Sequence, residues 1–152
     1  ENRQLIMSGG LGTMGYGLPG AIGAKLVHPE KKILAVCGDG GFMMNCQEFE
    51  TALRAKTPFV TLIFNDSSYG LIKWKQMDQY GKSCYVDFTN PDFVKFAESM
   101  GAIGYRITKA EELVATLKKA FEQEVPVIID CPVDYAENTK LTAHLKELME
   151  KL

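Results

Sequence analysis

The chain has 152 residues, with 17 Lys and Arg against 19 Asp and Glu, a net charge of −2. That length suits one domain, and 46% hydrophobic with 24% charged residues is a globular composition, which excludes a disordered, collagenous or disulfide-scaffold chain. The near-balanced charge lacks the basic footprint of a nucleic-acid binder, and no apolar run approaches the roughly 20 residues of a membrane helix. Neither a nucleic-acid nor a membrane partner is expected.

Four cysteines, Cys37, Cys46, Cys84 and Cys131, contain no C-x-x-C pair, and the two histidines, His28 and His144, are far apart in the chain. Zinc-ligand spacing is therefore absent. Reduced thiols in a cytoplasmic protein are expected. No signal peptide is expected at the start, and an opening on Glu1 rather than Met suggests an upstream segment.

In chain order, the first feature is a glycine loop over residues 9–17, with a literal G-x-G-x-x-G at Gly10, Gly12 and Gly15. In a dinucleotide site such a loop follows a strand, and an acid about 20 residues on holds the ribose. Residues 4–8 offer only a thin first strand. Asp39, 24 residues after Gly15, is flanked by Gly38, Gly40 and Gly41, and a ribose-binding acid needs no such backbone freedom. The pattern argues against a dinucleotide.

Residues 32–37 form a short continuous apolar run, the mark of a strand buried on both faces. Asn45 and Glu48 occupy the N-cap and N3 positions of a capping box, which predicts a helix starting near Met44 or Asn45 with Phe49, Ala52 and Leu53 on one face. A second strand is predicted over 59–64. Residues 93–100 keep helical spacing and stop at Gly101, a C′ glycine. A weaker strand follows at 104–107. Residues 110–122 carry Leu113, Leu117, Ala120 and Phe121 on one stripe, with Lys118 and Lys119 where the helix dipole favours cations. A fourth strand spans 126–131. The tail, 139–152, spaces Leu141, Leu145, Leu148 and Leu152 as an amphipathic helix that packs on its own domain or on a neighbouring subunit. This alternation predicts an α/β fold over 1–152, a parallel sheet in three layers with helices on both faces.

An acid set among glycines at the end of a buried strand lies where open α/β sheets bind ligands. Glycines bring the backbone close to a ligand and leave N–H groups unshielded, and a helix N-terminus nearby favours an anion such as diphosphate. A carboxylate beside diphosphate calls for a cation between them, which suits Mg²⁺ and its hard oxygen ligands. The second ligand is expected at a neighbouring strand tip, where the run 59–64 leads into Asn65-Asp66-Ser67-Ser68-Tyr69-Gly70.

Gly38-Asp39-Gly40, then 24 residues, then Asn65-Asp66 resembles the motif of thiamine-diphosphate enzymes. Residues 8–19, Ser-Gly-Gly-Leu-Gly-Thr-Met-Gly-Tyr-Gly-Leu-Pro, are similar to the acetolactate (acetohydroxyacid) synthase branch. Val86-Asp87-Phe88 and Pro132-Val133-Asp134-Tyr135 resemble the catabolic members in particular.

The resemblance implies the thiamine-diphosphate-binding fold and the C-terminal domain of a three-domain enzyme. It implies thiamine diphosphate and Mg²⁺ as cofactors, with Asp39 and Asp66 as side-chain metal ligands and Ser68 ligating through its carbonyl. Amides of Gly40, Gly41 and the Tyr69-Gly70-Leu71 turn would hold the diphosphate. Gly12 would contact the aminopyrimidine through its backbone, and Met14 would be the apolar wedge that bends the cofactor. The implied reaction decarboxylates pyruvate and condenses the remainder with a second pyruvate to 2-acetolactate. Leu71, Ile72, Lys75 and Gln76 are candidates for substrate choice.

The family's activating glutamate lies on the pyrimidine-binding domain of a second subunit, in a homodimer or homotetramer, and no residue here matches it. Glu48 and Glu50 read as helix-cap and surface acids, so no catalytic residue is expected in this chain. Asp66 stands where many members have Asn. The biosynthetic enzymes carry a Trp at the position of Lys75, whereas Trp74 here is one residue earlier and about 100° around a helix, so it is expected to face elsewhere, which points away from that branch. Another thiamine-diphosphate decarboxylase or carboligase would share the cofactor residues. A separate non-catalytic cofactor-binding subunit is the reading from a different class. FAD dependence is not decided by these residues.

Overall fold

The computed structural model describes residues 5–135. Four strands, β1 (Leu34–Gly38), β2 (Val60–Asn65), β3 (Ile103–Arg106) and β4 (Val127–Pro132), form one parallel sheet in the order β1-β2-β4-β3. Each lies within two residues of its predicted place. Their shared direction brings the C-terminal ends to one edge: Gly38 pairs with Phe64, Asn65 with Pro132, and Arg106 with Asp130.

Among the described residues, six helices connect and cover the strands: α1 (Gly17–Val27), α2 (Asp39–Met44), α3 (Glu48–Arg54), α4 (Gly70–Tyr80), α5 (Phe93–Ser99) and α6 (Glu112–Ala120). Alternation along the strands divides the core in two. On one face, Ala35, Ile63 and Ile128 pack with Leu18, Phe42, Phe49 and Phe93 from α1, α2, α3 and α5. Phe42 and Phe93 meet edge to face, with centroids 5.4 Å apart. Phe49 and Phe93 are fully buried, so truncating either to Ala costs roughly 3–5 kcal/mol. On the other face, Val60, Leu62, Val127 and Ile129 pack with Leu113, Leu117 and Ala120 around α6. Helices thus lie on both faces, as predicted.

α5 starts at the N-cap Asp92, whose Oδ1 accepts the N–H groups of Val94 and Lys95. It ends with Met100 as C-cap before Gly101, whose φ of +82° is the predicted left-handed stop. Three features differ from the sequence reading. The capping box does not form: α3 begins at Glu48 behind Gln47, with no side-chain cap. Asn45 instead donates from Nδ2 to the Gly15 carbonyl at 3.0 Å and accepts from Gln47 at 3.2 Å, because closing the glycine loop draws its side chain away from the helix start. The helix at the end of β1 is α2, beginning at Asp39 itself and not near Met44. Residues 5–8 form no strand.

α1 has no counterpart in the sequence prediction. Three glycines, Gly17, Gly20 and Gly23, depress its intrinsic propensity by about 1 kcal/mol each. Burial of Leu18, Ala21 and Ile22 overrides that deficit. The helix predicted over 139–152 lies outside the described residues. Among the described residues no helix is long and apolar enough to cross a membrane.

Candidate functional site

β1 stops at Gly38 and α2 starts at Asp39, which places this acid on the strand tip at 1% exposure. Its Oδ1 accepts the Gly40 N–H at 2.8 Å. Its Oδ2 accepts the Ser67 N–H at 2.7 Å and Asn90 Nδ2 at 2.6 Å. The Tyr69 ring, packed on Phe88 with centroids 4.8 Å apart, covers the first turn of α2.

β2 stops at Asn65, and Asp66 follows on the adjacent strand tip. Ser67 adopts a φ of +56°, the left-handed turn that swings the chain back toward α4. The buried Ser68 donates its N–H to Asp66 Oδ1 at 3.2 Å. Ser68 also forms an antiparallel bridge with Asp87, whose hydrogen bonds run from Tyr69 N–H to the Val86 carbonyl and from Phe88 N–H to the Ser67 carbonyl. That ladder does not use the Ser68 carbonyl.

The two acids converge. Burial, followed by the charge of Asp39, pushes the Asp66 carboxyl above the usual carboxylate range. Burial, then Asp66 and Asp39, likewise raises Tyr135. Lys73 is bonded to Asp87 at 2.8 Å.

Among the described residues, no group of three or more His, Cys, Asp and Glu gathers to hold a metal unaided. Two carboxylates and a carbonyl are a hard, incomplete oxygen set. Such a set fits Mg²⁺, which takes one or two carboxylates and fills its octahedron with phosphate oxygens and water. The opening turn of α4 has the makings of an anion site. The helix opens at Gly70 beside Asp66, and its first N–H groups have no acceptor within it. A Cβ on Gly70 would fall 3.0 Å from Asp66 Oδ2. On the α2 side the Gly40 N–H is already engaged by Asp39, and Gly41 lines the cleft beside it.

The glycine loop forms the opposite wall. Gly15 has a φ of +83°, and a Cβ there would fall 2.7 Å from Asn45 Nδ2, so both backbone and packing demand glycine. The Ser8 carbonyl and hydroxyl accept the N–H groups of Gly12 and Thr13, each at 3.1 Å. Between the walls runs a cleft of about 1500 Å³. Gly12, Met14, Asp39, Asp66 and Tyr69 line it, with Leu71 and Ile72 from α4; Trp74, expected to face elsewhere, lines it too. Lys75 and Gln76 do not line the cleft, and Gln76 binds the Cys84 backbone with its amide, accepting at 2.9 Å.

Residues 1–131 match the family described as "Thiamine pyrophosphate enzyme, C-terminal TPP binding domain". The chain belongs to that family. Within this TPP-binding domain, the match covers every residue lining the cleft except Val133, Asp134 and Tyr135. The domain is 45% identical over 143 residues to an acetolactate synthase of Bacillus subtilis, covering 94% of this chain and 25% of that protein. It is 38% identical over 149 residues to a catabolic acetolactate synthase of Raoultella terrigena, covering 97% and 27%. It is also 43% identical over 129 residues, 85% of this chain, to a Bacillus subtilis protein named only as a putative thiamine pyrophosphate-containing protein, covering 22% of it. The chain thus spans about a quarter of the length of these curated relatives.

The sequence reading missed Asn90. It lies 51 residues from Asp39 in Asn-Pro-Asp, a string that reads as a turn. Nothing local to it points to an acid on another strand.

Proposed function

We propose that this domain carries thiamine diphosphate and Mg²⁺ within a longer, three-domain acetolactate synthase. The carrying observation is the pair Asp39 and Asp66, brought to adjacent strand tips beside the opening turn of α4. When bound, thiamine diphosphate supplies the means to release CO₂ from a 2-keto acid and pass the remaining acyl unit to an acceptor. The chain's own residues bind and orient it. Asp39, Asp66 and the Ser68 carbonyl hold the metal. The amides of Gly41, Gly70 and Leu71, at the positive ends of two helices, hold the diphosphate. Gly12 offers its backbone to the pyrimidine, and Met14, half exposed in the cleft, supports the bent cofactor. Leu71 and Ile72 face the reacting end and bear on the choice of acceptor.

The glutamate that moves the cofactor's proton comes, on this reading, from the pyrimidine-binding domain of a second subunit. Two observations support this. Glu50 is exposed and paired with Arg54 at 3.0 Å, and α4, which walls the cleft, has no buried residue. Pyruvate is the proposed substrate. The four free thiols among the described residues support a cytoplasmic location.

The deciding experiment supplies the full-length protein with pyruvate, with and without 2-ketobutyrate, and identifies the product. Acetolactate supports the reading. An aldehyde or acetyl phosphate would assign the chain to another decarboxylase or carboligase, a second reading favoured by the relative named only for its thiamine pyrophosphate.

A further inference from the structure

We propose that Asn90 is a positioning residue that holds the Asp39 carboxylate in the orientation a metal ligand requires; the inference rests on the cofactor reading above. One amide nitrogen bridges two strand tips. Asn90 Nδ2 donates to Asp39 Oδ2 at 2.6 Å and to Asn65 Oδ1 at 3.0 Å. From Asn65 the polar chain continues in the spatial order of the strands. Asn65 Nδ2 donates to Asp130 Oδ1 on β4 at 2.9 Å, and Arg106 Nε on β3 donates to Asp130 Oδ2 at 2.9 Å. Arg106 Nη2 then reaches Asp92 Oδ1 at 3.2 Å. Asp92 is the N-cap of α5 and lies two residues beyond Asn90. The chain therefore closes on itself, and both the Asn90 side chain and its peptide are tied to the edge of the sheet. Pro91 keeps residue 90 out of helical conformation and helps hold the crossing segment extended.

Counting lone pairs shows the consequence for Asp39. Each carboxylate oxygen has about two acceptor positions. Asp39 Oδ2 has both filled, by Asn90 and by the Ser67 N–H, whereas Oδ1 accepts only the Gly40 N–H. Oδ1 is thus the oxygen left with capacity for a cation. The two bonds on Oδ2 fix the plane of the carboxylate. Asp39 is 1% exposed, so solvent does not take over this role when Asn90 is removed. Asp66, whose Oδ1 accepts the Ser68 N–H, is oriented by its own turn.

The test uses the full-length protein, with Mg²⁺ titrated at saturating thiamine diphosphate and cofactor binding followed by calorimetry. In Asn90→Ala, the half-saturating Mg²⁺ concentration should rise about 10-fold or more, the scale seen when a hydrogen-bond partner of a metal ligand is lost. Asn90→Ser keeps one donor and should fall between Ala and the wild type; it decides the matter if Asn90→Ala does not fold. A merely structural role would lower the metal-free unfolding midpoint and leave the Mg²⁺ half-saturation unchanged in both variants, which overturns the assignment of Asn90 alone. A wild-type protein that shows no Mg²⁺-dependent cofactor binding overturns the cofactor reading itself.

Discussion

The Tyr69 ring lies directly over Gly40: a Cβ at Gly40 would fall 2.7 Å from Cε1 and 2.8 Å from Cδ1. The turn after β2 is thereby pressed against the turn after β1, and the positions of Asp66 and Asp39 depend on each other. The ring has little room to yield, because Phe88 lies behind it and its Cζ would be 3.3 Å from the same Cβ. Gly40→Ala should therefore destabilise the protein by about 1–3 kcal/mol, the usual scale of overpacking, and weaken cofactor binding. Adding Tyr69→Ala should recover part of the lost stability. Denaturant unfolding of the two single variants and the double variant measures the coupling, and strictly additive losses would contradict the contact.

Asp39→Ala should abolish Mg²⁺-dependent binding of thiamine diphosphate in the full-length protein. The substitution also removes the acceptor of the Ser67 N–H, of the Asn90 amide and of the buried Gly40 N–H, and a buried donor left unsatisfied costs about 1–3 kcal/mol. The binding measurement must therefore be made on protein shown to be folded. Unchanged affinity by calorimetry would refute the ligand assignment.

Much of this was legible in the sequence because it is local. Three of the four strands are continuous apolar runs and the third in chain order is a weaker one, and Gly38-Asp39-Gly40 and Asn65-Asp66 mark the tips of the two site strands, β1 and β2. The family match over residues 1–131 agrees with that reading. What escaped is tertiary. Asn45 and Glu48 satisfy the pattern of a capping box, but the unpaired Gly15 carbonyl outcompetes the helix for the Asn45 side chain. α1 is glycine-rich and forms because β1 gives Leu18 and Ile22 a surface to cover. Asn90 reaches Asp39 across 51 residues, a relationship no window of sequence contains.

Gly15 and Asn45 form a second test of the site's architecture. Gly15→Ala meets two obstacles: a φ of +83°, strained for any Cβ, and the Asn45 amide at 2.7 Å. Asn45→Ala removes the second obstacle but also the hydrogen bond to the Gly15 carbonyl. The double variant should therefore stay less stable than Asn45→Ala by about 1 kcal/mol, the left-handed penalty alone, whereas Gly15→Ala by itself should lose more. Limited proteolysis near the glycine loop should accelerate in the same order. Equal losses in both backgrounds would show that the Asn45 contact carries no strain.

The 152-residue chain on its own should turn over no pyruvate. α4 forms one wall of the cleft, yet none of its eleven residues is buried, and Leu71 is 69% exposed. The proposed proton-moving glutamate has no counterpart here. Adding the pyrimidine-binding domain of the same enzyme in trans should restore activity, with Leu71 and Ile72 becoming protected from solvent in hydrogen exchange. Turnover by the purified chain alone would refute the shared-site proposal.

Cysteine chemistry gives a readout independent of cofactor. Burial, followed by the charge of Asp39, pushes the Cys37 thiol up to about 12, whereas Cys84 is exposed. Because the thiolate is the reacting form, alkylation near neutral pH should modify Cys84 and spare Cys37 until the protein unfolds. The same shift makes stability depend on pH. The unfolded thiol ionises near pH 9, about three units before the folded one. Between those values the folded state holds a proton that the unfolded state has lost, so stability is complete below about pH 9 and declines as pH rises. The fully developed slope is about 1.4 kcal/mol per pH unit. Cys37→Ala removes that contribution, so its stability should decline less steeply than the wild type's between about pH 9 and 11. Parallel curves would mean that the Cys37 thiol titrates in the folded protein as it does in the unfolded chain.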